Sequence, residues 1–300
     1  MGCVCSRCLK KPIEVNGLRE VELIYNSLKA TRKLRAYREI HDLLKEASEA
    51  ENFFKACFGY SPWSAQRTWL KRLLANRSFS ITASTGMGKT TFGIFAAYCL
   101  ATKHKRSYLI FPTTVLVKQA KERLEELVAR GKREVRIVAY IGSQKEKEEA
   151  KRAIENFEFD VLLTTSQFLA RNFDLLKGKT IDFVFVDDVD ALLKSSRNAE
   201  RVLLLLGFTQ ADLELAKRCL DARRKGDKSW GKLQERLEQR KKIVKHGCLI
   251  VASATGRARR GRATSLYREL LDFEVGAAKD VLRNLYDSYL ERCDEATLVL

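Results

Sequence analysis

The sequence has few prolines, no long apolar run and fewer acidic than basic residues. With 3 prolines in 300 residues, few positions break a helix, so a helix-rich protein is expected. No segment reaches the roughly 18 apolar residues of a membrane-spanning helix, and no apolar signal-peptide core is present, so we expect a cytoplasmic protein. Acidic residues are outnumbered by Lys and Arg, 38 to 56, which gives a formal net charge of +18 and favours a polyanionic partner.

Apolar residues make up 45% of the chain, enough for the core of one large α/β domain. Short β-prone runs alternate with helical patterning, which predicts a parallel sheet with helices on both faces. The predicted strands are residues 79–82, 107–111, 136–140, 161–164, 183–186 and 249–252.

Residues 83–90 read ASTGMGKT, between a β-prone run and a helical one, and this pattern predicts a phosphate-binding loop. Gly86 and Gly88 let the backbone curl so that N–H groups face phosphate oxygens at a helix N-terminus. Lys89 would neutralise the β- and γ-phosphates of ATP, and the Thr90 hydroxyl would bind Mg²⁺. The predicted nucleotide-binding residues of the loop are Ala83, Ser84, Thr85, Gly86, Met87, Gly88, Lys89 and Thr90; Ala83 stands where the strict pattern has glycine.

An acidic motif follows the apolar run at residues 181–186. Ligands of open α/β sheets bind at the carboxyl ends of the strands, so these acids should face the phosphates. Asp187 is the candidate partner of Mg²⁺, and Asp188 is the candidate to orient or deprotonate the attacking water. Together with Lys89 they form the predicted catalytic set.

Other polar residues at predicted strand ends fit the same site. Gln66 lies about twenty residues before the loop, where its amide could bind the adenine edge. Ser253 and Thr255 end a strand near Asp190, and these three are the candidates for coupling ATP hydrolysis to movement. The hydroxyls that follow two strands, in Thr113 and Thr114 and in residues 164–166, suit contacts to a nucleic-acid backbone.

In this order the motifs resemble those of superfamily 2 helicases, and within them most closely the reverse gyrase family. The resemblance rests on the Gln66 segment, the phosphate loop, the Asp-Asp-Val-Asp motif and residues 253–257 and 266–276. It implies a RecA-like fold and an ATP-dependent topoisomerase that introduces positive supercoils into DNA. That family is several times longer, so we expect the second RecA-like domain and the topoisomerase module to be missing.

The resemblance also implies a division of the chain. Residues 1–56 would form a zinc-finger remnant and a helical segment, and residues 57–276 the RecA-like domain, with a helical insertion at about 192–246. Residues 277–300 would connect to the second helicase domain. Reverse gyrases begin with a four-cysteine zinc finger, and Cys5 and Cys8 resemble its second pair. Two thiolates alone do not fill a tetrahedral zinc site, so zinc binding stays open.

Residues 217–262 hold 16 Lys or Arg against 4 Asp or Glu. So unbalanced a segment favours binding to a phosphate backbone, largely independent of sequence and sensitive to salt. Four of its cations are candidate DNA contacts: Arg240, Lys241, Lys242 and Lys245. Trp230 is either a base-stacking residue or buried against the core.

Two other function classes remain open. A DEAD-box RNA helicase would share the fold, although its motif has Glu where this chain has Asp188. A non-catalytic, ATP-gated DNA clamp would bind both ligands without turnover. For the isolated chain we expect binding of ATP and DNA, weak DNA-dependent ATPase activity and no change of DNA topology.

Overall fold

A six-stranded, fully parallel β-sheet lies at the centre of the fold. The computed structural model describes residues 18–32, 37–83, 86–188, 196–253 and 261–274. The strand order is β1-β6-β5-β2-β4-β3. The strands are β1 (Phe79–Thr82), β2 (Ser107–Phe111), β3 (Ile137–Ala139), β4 (Val161–Thr165), β5 (Phe183–Asp187) and β6 (Cys248–Ser253). The predicted strands and the α/β fold class are therefore confirmed.

Helices cover both faces of the sheet. Before β3 the chain forms α1 (Leu18–Ala30), α2 (Tyr37–Phe58), α3 (Ser64–Leu74), α4 (Lys89–Ala101) and α5 (Thr114–Gly131). After β3 it forms α6 (Gln144–Glu155), α7 (Ser166–Arg171), α8 (Ser196–Leu205), α9 (Gln210–Lys225), α10 (Trp230–Ile243) and α11 (Arg262–Leu271), with a 3₁₀ helix at Phe173–Leu176. Within the described part of the chain, no helix has the length and apolarity needed to cross a bilayer.

The strands are buried on both faces, which explains their continuous apolar runs. One core lies between the sheet and helices α2 to α5, where Phe92, Phe95 and Phe185 are fully enclosed. The other lies under α6 to α11 and includes Val184 and Leu249. Because successive side chains of a strand point to opposite faces, Val184 and Phe185 belong to different cores.

The region predicted as a helical insertion contains α8, α9 and α10. Their apolar residues join the second core, among them Val202, Leu213, Ala216 and Leu237. Leu237 is the one buried residue of α10, so this outer helix is attached more lightly than α8 or α9. The helices of this region are thus packed on the domain, and α10 forms its outer surface.

The last described residue pairs with the free edge of the sheet. Glu274 forms a parallel bridge with Phe79 of β1. Its carbonyl accepts a hydrogen bond from the Ser80 amide (3.0 Å), and its amide donates to the Ser78 carbonyl (3.1 Å). The Glu274 carboxylate also forms an ion pair with Arg72 of α3. The chain therefore reaches residue 274 fastened beside the strand that leads into the phosphate loop.

Candidate nucleotide site

The phosphate loop joins the carboxyl end of β1 to the N-terminus of α4. Gly86 and Gly88 have φ values of +80° and +72°, in the region where glycine is favoured. A Cβ at Gly88 would also come within 2.8 Å of the Gln66 Nε2 atom. The backbone therefore favours glycine at position 88, and a side chain there would displace the Gln66 amide.

The loop meets the acidic motif through a direct hydrogen bond. The Thr90 hydroxyl donates to Asp187 Oδ2 at 2.7 Å, although the two residues lie 97 positions apart. Lys89 Nζ donates to the Ala83 carbonyl at 2.7 Å, so this side chain connects the two ends of the loop. The predicted cation ligand from the loop and the one from β5 thus lie side by side.

Burial shifts the pKa values of the two charged groups at this contact, Asp187 and Lys89. It raises the pKa of the Asp187 carboxyl, against the hydrogen bond from Thr90 and the charge of Lys89, which lower it. Burial also lowers the pKa of the Lys89 ammonium, against the attraction of Asp187. A bound divalent cation would therefore stabilise the ionised Asp187 carboxylate, and bound phosphates would stabilise the charged Lys89 ammonium. Hard oxygen donors such as Thr90 and Asp187 are those that Mg²⁺ prefers, so the residues present fit MgATP.

Asp188 has a φ of +77°, a conformation uncommon for residues other than glycine but adopted more often by Asn and Asp than by most. Its amide donates to the Ala252 carbonyl at 3.2 Å, extending the pairing of β5 with β6 by one residue. The Ala83 amide donates to the Ser253 carbonyl at 3.3 Å. The ends of β1, β6 and β5 therefore bring the loop, Ser253 and the acids to one edge of the sheet.

Gln66 lies against the loop rather than in solvent. Its side chain is 2% exposed, and Oε1 accepts a hydrogen bond from the Trp63 amide at 3.1 Å, which caps α3. Its Nε2 atom faces Gly88. The amide is thus held where α3 meets the phosphate loop.

Several predicted site residues fall outside the described part of the chain. They are Ser84, Thr85, Asp190, Thr255, Cys5 and Cys8. Among the described residues there is no group of three or more His, Cys, Asp or Glu side chains that could hold a metal. The zinc site at Cys5 and Cys8 therefore stays a prediction without support from the structure.

Two threonines predicted to contact a nucleic-acid backbone have structural roles instead. Thr164 is fully buried, and its hydroxyl shares a 2.7 Å hydrogen bond with the Tyr108 hydroxyl. The Thr165 hydroxyl accepts from the Phe168 amide at 3.1 Å and caps α7. Thr114 is exposed at the start of α5 and is available to a ligand. Sequence position alone did not separate these roles, because a hydroxyl at a strand end also caps the following helix.

The sequence did not reveal a cleft of about 250 Å³ beside α4. Phe58 and Tyr60 line it from the end of α2, and Thr91 lines it from the residue after Thr90. Tyr60 is 47% exposed. The feature of the sequence that could have indicated this cleft is the aromatic pair Phe58 and Tyr60, a few residues before Gln66.

Two of the four predicted DNA-contacting cations are engaged within the domain. Arg240 Nε donates to Asp212 Oδ1 at 2.9 Å, and Asp212 is almost fully buried. Lys241, itself largely buried, pairs with Glu238 at 3.1 Å and with Asp272 at 2.5 Å. Lys242 and Lys245 are exposed. The exposed basic surface therefore includes Lys242 and Lys245, together with other members of the segment.

A model of the DEAD/DEAH box helicase family matches residues 63–216, just over half of the chain. The match runs from the Gln66 segment through the loop and the acidic motif. The chain belongs to the DEAD/DEAH box helicase family. Within this helicase family, the RecA-like architecture that was predicted agrees with the parallel sheet described above.

The resemblance to reverse gyrase is confirmed by the relatives. The chain is 43% identical to reverse gyrase of Thermococcus kodakarensis over 309 aligned residues, which cover 96% of the chain and 18% of the relative. It is 44% identical to reverse gyrase of Pyrococcus horikoshii, over 95% of the chain and 19% of the relative. The chain thus spans about a fifth of the length of these relatives. It is similar to a helicase-like part of reverse gyrase.

Among solved structures, a hypothetical ATP-dependent RNA helicase from Sulfolobus tokodaii is 12% identical to the chain, with a TM-score of 0.47. The likeness covers 77% of this chain and 57% of that one.

Proposed function

We propose that the chain binds and hydrolyses ATP and binds DNA largely without sequence preference. It would act as the helicase-like part of a reverse gyrase, which couples ATP hydrolysis to positive supercoiling. The observation that carries the proposal is the 2.7 Å contact of Thr90 with Asp187, beside Lys89 at a glycine-shaped loop. Such joining of a phosphate loop to a strand-end acid is the arrangement that phosphoryl transfer requires.

Each residue has a distinct part in the proposed reaction. Loop amides from Gly86 to Thr90 cradle the phosphates, and Lys89 moves from the Ala83 carbonyl to the phosphate oxygens. Thr90 and Asp187 would hold Mg²⁺, which supplies charge neutralisation of the β- and γ-phosphates. Asp188 orients the attacking water and accepts its proton.

In this proposal the Gln66 amide and the cleft at Tyr60 bind the adenine base. The Gln66 amide would bind the adenine edge, and the ring of Phe58 or Tyr60 would stack on its face. Ser253, hydrogen-bonded through its carbonyl to Ala83, lies on the strand between the loop and the acids, which suits a coupling role.

The test measures phosphate release from ATP with duplex DNA, single-stranded DNA and RNA, using Lys89→Ala as the inactive control. We expect weak turnover stimulated by DNA and unchanged plasmid topology. Stimulation by RNA alone would favour an RNA helicase. Tight binding of ATP and DNA with no turnover under any condition would favour the ATP-gated clamp.

A further inference from the structure

The turn between α9 and α10 combines positive charge with an exposed aromatic ring. We define the basic turn as residues 223–232, with the sequence RRKGDKSWGK. It contains five Lys or Arg, one Asp and Trp230. Trp230 is 39% exposed, so the alternative that this ring is buried against the core is wrong. A lone exposed apolar side chain is ordinary, but an indole surrounded by cations is also the combination that stacks on bases and contacts phosphates.

The basic turn has a fixed backbone. Helix α9 ends at Lys225 and is capped by Gly226, with a φ of +66°, and the Asp227 amide donates to the Ala222 carbonyl at 2.9 Å. Asp227 Oδ1 accepts from the Ser229 amide at 2.8 Å, and the Trp230 amide donates to the Asp227 carbonyl at 3.0 Å. These hydrogen bonds fix the position from which Trp230 projects. A ligand would therefore pay little ordering entropy to use it.

The cations of the basic turn are largely unneutralised. Arg223 lies over the Trp230 ring, 6.0 Å from its centroid, and approaches Glu269 at 3.5 Å. Arg224, Lys228 and Lys232 are exposed and form no ion pair with any residue that the structure describes. The single acid, Asp227, is occupied by its bonds to Ser229. The surface around the ring is thus net positive.

We propose that the basic turn binds single-stranded nucleic acid, with Trp230 stacked on an unpaired base and the neighbouring cations on its flanking phosphates. This rests on the proposed function, because it requires that the chain binds DNA, and it adds the strand state and a contact residue. Duplex bases stack on each other and present only edges and phosphates to a protein. An exposed indole gains a partner when a base is unpaired, whereas phosphates alone need only the cations.

The test compares wild type with Trp230→Ala and Trp230→Phe by fluorescence anisotropy of labelled oligo(dT) and of a duplex of equal length. Loss of one stacked base should weaken binding of oligo(dT) by about 5- to 150-fold, with Phe intermediate and duplex affinity little changed. The salt slope should be the same in Trp230→Ala, because no phosphate contact is removed. In Lys228→Gln/Lys232→Gln it should become shallower by about 0.7 per lost phosphate contact.

Leu23→Ala is the matched control, since Leu23 is an apolar side chain, 51% exposed, on the distant helix α1; it should change neither affinity. Intrinsic fluorescence gives a second measurement that does not depend on the Ala variant folding. Oligo(dT) should quench wild-type emission and not that of Trp230→Phe, whose remaining tryptophans include the buried Trp69.

Equal weakening of oligo(dT) and duplex binding by Trp230→Ala would overturn the proposal, as would unchanged oligo(dT) affinity with no quenching. In both cases the proposed DNA-binding function would survive. A wild-type chain that binds neither oligo(dT) nor duplex at low salt would overturn both.

Discussion

The nucleotide site and the basic turn hold their charges in opposite ways. At the nucleotide site, Lys89 at the start of α4 and Asp187 at the end of β5 are half-buried, and they interact with each other and with the loop. At the basic turn, Arg224, Lys228 and Lys232 stand in solvent on an outer helical hairpin. Buried charges act through geometry and lose little to salt, whereas exposed ones act additively and are screened. Single substitutions should therefore reduce activity strongly at the nucleotide site. At the basic turn they should weaken DNA binding in smaller, additive steps.

The largest effect is expected for Asp188→Asn. The amide tolerates the φ of +77°, so the backbone should be kept, but it cannot accept a proton from water. We expect ATP hydrolysis to fall by about 10²- to 10⁴-fold while MgATP binding and DNA binding remain. Steady-state phosphate release and binding of a labelled nucleotide measure the two separately. Undiminished hydrolysis would mean that another residue positions the water.

The second-largest effect is expected for Lys89→Ala. Its turnover should fall by about 10²- to 10³-fold, because a preorganised charge at the phosphates is removed. The variant also sharpens the contrast between the regions. Its DNA affinity and salt slope without nucleotide should equal those of wild type, as measured by anisotropy. A changed slope would show that the nucleotide site and the DNA surface share cations.

Gly88→Ala tests the shape of the loop without changing its charge. An alanine at φ +72° costs about 1–2 kcal/mol, and its Cβ would approach Gln66 Nε2 within 2.8 Å. Relaxation of the strained loop in the free variant should weaken ATP affinity by up to about 5- to 30-fold, because binding must then restore the positive φ. Isothermal titration with ATP checks this. Gly226→Ala, also at positive φ but with no atom near its Cβ, is the control and should leave ATP affinity unchanged.

The smallest effect is expected where a cation of the basic segment has a structural role. Arg240→Ala should lower the free energy of unfolding by more than Lys242→Ala does, because it removes a charge-assisted bond to buried Asp212. Lys242→Ala, the exposed control, should stay within about 0.5 kcal/mol of wild type. Chemical denaturation measures both. Equal stabilities would mean that the ion pair contributes nothing.

The pH dependence of the Arg240 effect has a definite sign. Burial alone would raise the pKa of Asp212, but the bonds from Arg240 and Thr209 hold it below its ordinary value. A depressed pKa stabilises the fold above the unfolded value, about 3.9, and this stability is lost as the pH falls through the folded pKa. The difference between wild type and Arg240→Ala should therefore shrink on acidification below about pH 4.

Local patterns predicted most of the fold and part of the site. The strands were predictable because runs such as Val184–Phe185 are apolar on both faces, and the loop because its glycines, lysine and threonine are contiguous. The roles of Thr164 and Arg240 were not predictable, since their partners, Tyr108 and Asp212, are 56 and 28 residues away. Exposure of Trp230 likewise depends on how α10 lies on α9, which no short pattern encodes.

The attachment of Glu274 to β1 has a mechanical consequence. Its two backbone hydrogen bonds, to Ser78 and Ser80, lie across the strand direction, with the ion pair to Arg72 beside them. Tension along the chain after residue 274 would load these bonds together in shear rather than one after another. The pull would then pass into β1, whose far end is the phosphate loop, so the nucleotide site would register strain applied to the following segment.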